Sequence, residues 1–250
     1  SDVVKTVTIN NNGVATNSTD NVVLGDVASS SRLETLNLNA TGAAVTVGTI
    51  AEAESLTSLN IDSAGGEVTV GAIGGTAAST GLSSINVTAT EDVVLGAVAA
   101  NNVGGVTNVT LAASNGDISG LVLTNDAGNI DTVTLSGGGA IDATFNTVLQ
   151  GSGTAGSTRA INSTNTGSVN LTVSNVAASG AGTVVTLGDG SNTVTLRSSM
   201  NDNVTGGAGS DTVILGAGAG GSFGSNTVEL GAGTDTLSFD VAGVAETSGI

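Results

Sequence analysis

The segments LETLNLN from Leu33, LTSLNID from Leu56, LSSINVT from Leu82, VTNVTLA from Val106 and IDTVTLS from Ile130 repeat one pattern with a period of about 24 residues. An earlier copy, VKTVTIN, starts at Val4, a somewhat longer step before Leu33. Each reads apolar, any residue, small polar, apolar, Thr or Asn, apolar, polar. A unit this short cannot bury its apolar face alone, so a chain built from such units must stack each one on its neighbours. A second apolar run follows each copy about half a period later: NVVLGDV at 21–27, AVTVGTI at 44–50, EVTVGAI at 67–73, DVVLGAV at 92–98 and DISGLVL at 117–123. Two alternating strands and two turns per period predict the coil of an all-β, right-handed parallel β-solenoid, or β-helix.

Alternation assigns the faces. Leu36 and Leu38 point one way, and their equivalents Leu59 and Ile61, Ile85 and Val87, Val109 and Leu111, and Val133 and Leu135 are expected to stack as the interior. Thr35, Asn37, Ser58, Asn60, Ser84, Asn86, Asn108, Thr110, Thr132 and Thr134 then form an outer polar ladder. Such ladders stabilise stacked strands without binding anything. A sharper reading is a flat ice- or glycan-binding face, which the mixture of Asn, Ser and Thr makes irregular. At a strand spacing of about 4.8 Å, roughly ten coils give a rod near 50 Å long.

Composition agrees with thin, repetitive layers. The 250 residues include 39 Gly and three Phe but no Trp, Tyr, Pro, His or Cys, which leaves the interior to Val, Leu, Ile and Ala. Gly, Thr, Asn and Val throughout disfavour helix. Twenty-one acidic residues face only Lys5, Arg32, Arg159 and Arg197, for a formal net charge of −17. That field repels nucleic-acid phosphates and anionic lipid surfaces and makes cations the natural partners. No apolar run is long enough to cross a bilayer, so no membrane insertion is expected. A hydrophobic content of 39% separates the chain from acidic disordered segments. It begins at Ser1, without an initiator Met, which suggests a piece of a longer protein.

From 146 to 184 the period blurs, although SVNLTVSNV at 168–176 resumes strand character, and an irregular coil or insertion, or equally a long loop on one coil, is expected between a solenoid at 1–145 and a shorter-period region at 185–240, with 241–250 as a tail. In the latter region, LGDGSNTVT at 187–195, RSSMNDNVT at 197–205, GGAGSDTVI at 206–214, GSFGSNTVE at 221–229 and LGAGTDTLS at 230–238 align as nonapeptides. Six Gly-rich residues make a tight turn that aims carbonyl oxygens inward. The sixth position adds a carboxylate or amide, and the eighth buries an aliphatic. Stacked turns of this kind offer the six to eight oxygens that Ca²⁺ takes. The alternative is a metal-free turn in which Asp and Asn cap backbone N–H groups.

The unit at 206–214 matches GGxGxDxUx at every defined position. These nonapeptides resemble the RTX repeats of type I secreted bacterial proteins. The longer coils resemble those of RTX-containing surface-layer proteins and large adhesins. The resemblance implies a secreted, calcium-loaded β-roll at the bacterial cell surface that self-associates into a lattice or fibre, with a cell-surface polysaccharide as a possible anchor. It implies that Asn192, Asp211 and Asp235 stack on one side and Asp202 with Asn226 on the other, with Gly207 and Gly209 lending carbonyls and one to three ions along the Asp211–Asp235 side. Four of the five units lack the first Gly pair, two carry Asn for Asp, and the segment 215–220 interrupts the tandem.

Parallel β-helices also host lyases and glycosidases, whose chemistry needs a proton donor and acceptor. His, Tyr and Cys are absent and the one Lys lies near the start of the chain. Glu91 and Asp92 face opposite sides of a strand. No catalysis is expected. Two roles remain: a structural surface-layer or fibre subunit, and a monomeric adhesin or ligand-binding stalk.

Overall fold

The computed structural model describes residues 4–13, 21–26, 32–51, 55–73, 82–99, 108–125, 131–147, 159–174, 182–198, 201–217 and 223–241. Among them there are strands and turns and no helix. In chain order the strands are β1 (Thr6–Asn11), β2 (Val22–Leu24), β3 (Thr35–Ala40), β4 (Val45–Val47), β5 (Ser58–Ser63), β6 (Val68–Val70), β7 (Ser84–Ala89), β8 (Val93–Leu95), β9 (Ala97–Ala99) and β10 (Asn108–Ala113). They continue as β11 (Ile118–Asn125), β12 (Thr132–Gly137), β13 (Ile141–Thr147), β14 (Arg159–Ser163), β15 (Val169–Ser174), β16 (Thr183–Thr186), β17 (Thr193–Ser198), β18 (Asn203–Thr205), β19 (Thr212–Ala217), β20 (Thr227–Glu229) and β21 (Thr236–Asp240).

Two parallel sheets result. One runs β1-β3-β5-β7-β10-β12-β14-β16-β18-β20, and the other β2-β4-β6-β8-β11-β13-β15-β17-β19-β21, with β9 paired beside β11. Each coil places one strand in each sheet, so the protein is a parallel β-solenoid with ten strands along each path, about 45 Å of stacking at the usual strand spacing. The sheets are unbroken from the first coil to the last: the long-period and short-period regions share the same two ladders.

Register holds the core in columns. Val7, Leu36, Leu59, Ile85, Val109, Val133, Ile161, Val185, Val204 and Val228 are successive partners up the first sheet. All the inward pairs expected from alternation, Leu36 and Leu38 through Val133 and Leu135, are buried. Inward residues of both sheets join one apolar cluster. Each fully buried Leu, Ile or Val contributes roughly 1.5–3 kcal/mol. One irregularity interrupts β11, where the register shifts between Ile118 and Leu121. Gly120 sits there at φ +78°, a left-handed conformation that glycine tolerates and a β-branched residue does not.

The region from 146 to 184 keeps the solenoid strands, β15 among them where SVNLTVSNV reads as strand. Strands β14 and β15 lie in it and β16 begins in it, all in register with the sheets. Thr132 pairs with Ala160 and Ile141 with Val169, longer steps along the chain than the one that pairs Asn108 with Thr132. The strands persist while the connection lengthens, and this is why the sequence period is lost there. Residues 148–158 and 175–181, which hold the Gly/Ser-rich stretches, lie outside the described residues, as does 242–250 of the tail.

The outer ladder is hydrogen-bonded along the solenoid. Asn37 Nδ2 donates to Thr8 Oγ1 at 3.0 Å, Asn60 Nδ2 to Asn37 Oδ1 at 2.9 Å and Asn86 Nδ2 to Asn60 Oδ1 at 2.9 Å. The ladder is half-exposed, so each bond competes with water and contributes modestly. Asn60→Ala is expected to lower stability by about 1 kcal/mol in a denaturant titration. A loss several times larger would mean that the ladder does more than tie coils together.

Candidate functional site

The turns that join the first sheet to the second stack into a column along one edge of the solenoid, and its residues change character along the axis. In the earlier coils the turn carboxylates lie outside. Exposed Asp92 Oδ1 accepts the N–H of Asp117 at 3.0 Å, and exposed Asp117 Oδ1 accepts that of Ala140 at 2.7 Å. These are ordinary caps that reach forward to the next coil.

Buried polar side chains also face into this column, Asn11 and Ser63 in early coils and Asn165 beyond Ala140. Asn165 is fully buried, its Nδ2 donating to Gly139 O at 2.9 Å, while its Oδ1 has no hydrogen-bond partner. One coil on, Asn192 is also buried, and its amide is saturated. Oδ1 accepts Val169 N–H at 3.2 Å. Nδ2 donates to Gly190 O at 2.7 Å and Gly188 O at 3.0 Å, and lies 2.9 Å from Asp211 Oδ1. With acceptors on one side and a donor on the other, this orientation of the amide is the one that the network permits.

The next coil repeats the turn with Asp211 in place of Asn192. Asp211 is 1% exposed. Its Oδ1 accepts Asn192 N–H at 3.1 Å, as Asn192 Oδ1 accepts Val169 N–H, so Oδ2 corresponds to the Asn192 amide nitrogen. Oδ2 accepts Gly207 N–H at 3.2 Å. An ionised carboxylate only accepts. The carbonyls of Gly207 and Gly209, counterparts of Gly188 and Gly190, therefore receive no donor from it. In the last coil the half-buried Asp235 continues the stack, its Oδ1 accepting Asp211 N–H at 2.9 Å.

The glycines serve close stacking. A Cβ on Gly207 would lie 2.1 Å from Gly188 O, and one on Gly209 would lie 2.2 Å from Gly190 O. Their absence lets one turn's carbonyls sit directly beneath the next turn's backbone, which concentrates oxygens along the column.

Asp202 and Asn226 lie on the opposite edge. Asp202, 2% exposed, accepts Thr183 N–H through Oδ1 at 2.7 Å, and Asn226 Oδ1 accepts Asp202 N–H at 2.9 Å. Asn226 Nδ2 donates to Phe223 O at 2.7 Å. The structure thus brings Asn192, Asp211 and Asp235 together on one edge and Asp202 with Asn226 on the other. Both asparagines use their amides at both ends within the protein, which is not the arrangement of a side chain that offers only oxygen to an ion.

Among the described residues no three Asp, Glu, His or Cys side chains converge as a metal-holding group. A cation in the Asp211 turn would have to draw on main-chain carbonyls as well as carboxylates. That donor set, all oxygen and partly main-chain, is the chemistry that calcium takes. Asp211, Asp235, Gly207 O and Gly209 O are the groups present to hold it. Asn165 is a buried polar residue of this column that the nonapeptide pattern does not pick out. It follows the inward-facing Ser163 by two positions, and this placing in the repeat could have marked it.

No family model, curated protein or solved structure matches the chain.

Proposed function

We propose that this chain is a calcium-stabilised structural β-solenoid of the RTX-repeat type, secreted and acting at the bacterial cell surface as a subunit of a surface layer. The observation that carries the calcium part is Asp211. A buried carboxylate occupies the place where the preceding coil has an amide N–H donor, beside carbonyls of the same turn. Calcium there would supply the positive charge that the carboxylate and carbonyls lack. It would also tie the coil of Asp211 to that of Asp235 by a link that backbone pairing alone does not provide.

Assembly is favoured by the ends of the solenoid. The strands of both sheets pair in parallel, so among the described residues the outer edge of β20 and β21 carries the pattern of backbone groups that each internal coil offers the next, and a further coil or a second copy can pair there. Beside that edge lies an open groove of about 430 Å³ lined by Leu215, Phe223, Val228, Leu237 and Phe239. Phe223 and Phe239 meet edge to face with centroids 6.0 Å apart. The same apolar end favours the second reading, a monomeric adhesin stalk that engages a ligand there.

The test is a calcium titration of the purified chain followed by thermal melting and light scattering, with Asp211→Ala alongside. Calcium at a hundredfold excess over its dissociation constant is expected to add about 2.7 kcal/mol for each site that forms only in the folded state. Asp211→Ala is expected to abolish most of that gain. Particle size rising with stability supports the surface-layer subunit, whereas stability rising alone supports the stalk. A melting curve indifferent to calcium overturns the calcium reading.

A further inference from the structure

We propose that the Asn192 side-chain amide stands in for a cation in the 188–192 turn, and that this single residue decides where along the solenoid cation binding begins. The inference deepens the calcium reading above and rests on it for the coils beyond Asn192. Three oxygens surround Asn192 Nδ2: Gly190 O at 2.7 Å, Asp211 Oδ1 at 2.9 Å and Gly188 O at 3.0 Å. Two come from its own turn and one from the next coil. A polarised N–H₂ group placed among carbonyls and a carboxylate satisfies them as a small cation would, but it is covalently fixed and needs no ion in solution.

One coil earlier, the same column is short of donors. Asn165 Oδ1 is buried without a partner, and Gly188 packs directly against the Asn165 backbone, whose O and N would lie 2.1 and 2.7 Å from a Cβ on Gly188. Buried acceptors of this kind call for a donor or an ion. Before Asn192 the place in register with it is apolar, taken by Val169, Ile141 and Ile118 in turn. After it, the equivalent positions carry Asp211 and Asp235. Their oxygens accept main-chain N–H groups of Asn192, Gly207 and Asp211, but they give no N–H₂ donor to their own turn, where Gly207 O accepts Ala232 N–H at 3.0 Å. Asn192 thus marks the last coil of this column that carries an amide in place of a carboxylate, and on this proposal cation binding at this position begins with the coil after it.

Exchanging the amide for a carboxylate at this position removes both N–H donors and adds a negative charge, while the glycine turn and its carbonyls remain. Asn192→Asp is expected to create one further calcium site, held by the new carboxylate with the carbonyls of Gly188 and Gly190. The converse change, Asp211→Asn, is expected to delete a site and leave a turn that folds without calcium.

The experiment is a count of bound calcium by equilibrium dialysis and calorimetry on the full chain, for the original protein, Asn192→Asp and Asp211→Asn, each folded in calcium and then stripped with chelator. The expected stoichiometries are one ion more for Asn192→Asp and one fewer for Asp211→Asn. The melting point of Asn192→Asp should fall below that of the original protein in chelator and recover when calcium is restored. If the original protein binds calcium and Asn192→Asp binds the same number, the inference is overturned and the calcium reading stands. Should the original bind none while Asn192→Asp binds one, the calcium reading fails and the role of the amide is upheld. Binding by neither protein overturns both. If Asn192→Asp does not fold even in calcium, Asp211→Asn decides: an unchanged ion count there overturns the inference, and a count lower by one upholds it.

Discussion

Phe145→Ala is expected to lower stability by about 3–5 kcal/mol, the largest loss from any single truncation in this core. Phe145 in β13 is fully buried and heads the largest wholly enclosed side chains. It pairs in register with Leu123 below and Val173 above. An aromatic ring among aliphatic columns fills a layer that neighbouring β-branched residues cannot expand to refill. In a solenoid each coil touches only the coils beside it, so the damage should be local. Hydrogen exchange is expected to lose protection across β11, β13 and β15 first, while β3 to β7 keep theirs. Uniform loss of protection from end to end would show that the coils unfold as one unit, and a small loss of stability would show that the layer collapses around the cavity.

The sequence makes the strands legible because their information is local. Alternation places Leu36, Leu38, Leu59 and Ile61 inside, and a slip of one residue would turn every one of them outward. The regular spacing of the repeats carries the stacking order. What the spacing cannot carry is a coil of unequal length. Between β10 and β12 the register steps from Asn108 to Thr132, but between β12 and β14 it takes the longer step from Thr132 to Ala160, and the period dissolves although both sheets continue. Between β16 and β18 the step contracts instead, so that Val184 meets Asn203. The change of period looks like a change of domain in the sequence, yet the two ladders continue through it, with the strands of the first sheet shortening from six residues in β12 to three in β18.

The candidate site is less legible, for a chemical reason. A nonapeptide pattern treats Asp and Asn at its sixth position as near equivalents because both cap backbone N–H groups through Oδ1. In the folded column that bond is common to Asn192, Asp211 and Asp235 and distinguishes nothing. The difference lies in the other atom, an N–H₂ donor in Asn192 and a carboxylate oxygen in Asp211. Which of them faces the carbonyls depends on how successive turns are superposed. The resemblance to RTX repeats supplies the stacking of these residues, but only the hydrogen bonds of Asn192 separate its role from that of Asp211.

Gly190→Ala is expected to cost about 1–3 kcal/mol from overpacking and more once a lost hydrogen bond is included. A Cβ there would lie 1.8 Å from Gly167 O and 2.6 Å from Gly167 C, both main-chain atoms that no side-chain rotation can clear. The turn would have to lift off the coil beneath. Lifting it pulls Gly190 O away from Asn192 Nδ2, which now sits at 2.7 Å, and loosens the amide that also meets Asp211. Gly25→Ala is the matched control, since a Cβ on Gly25 meets no heavy atom within 4 Å. It is expected to be neutral or slightly stabilising through the unfolded chain. Denaturant midpoints of the two variants separate the causes: a large loss for Gly190→Ala alone points to coil contact, whereas equal losses would mean that backbone freedom, not stacking distance, is why glycine recurs in these turns.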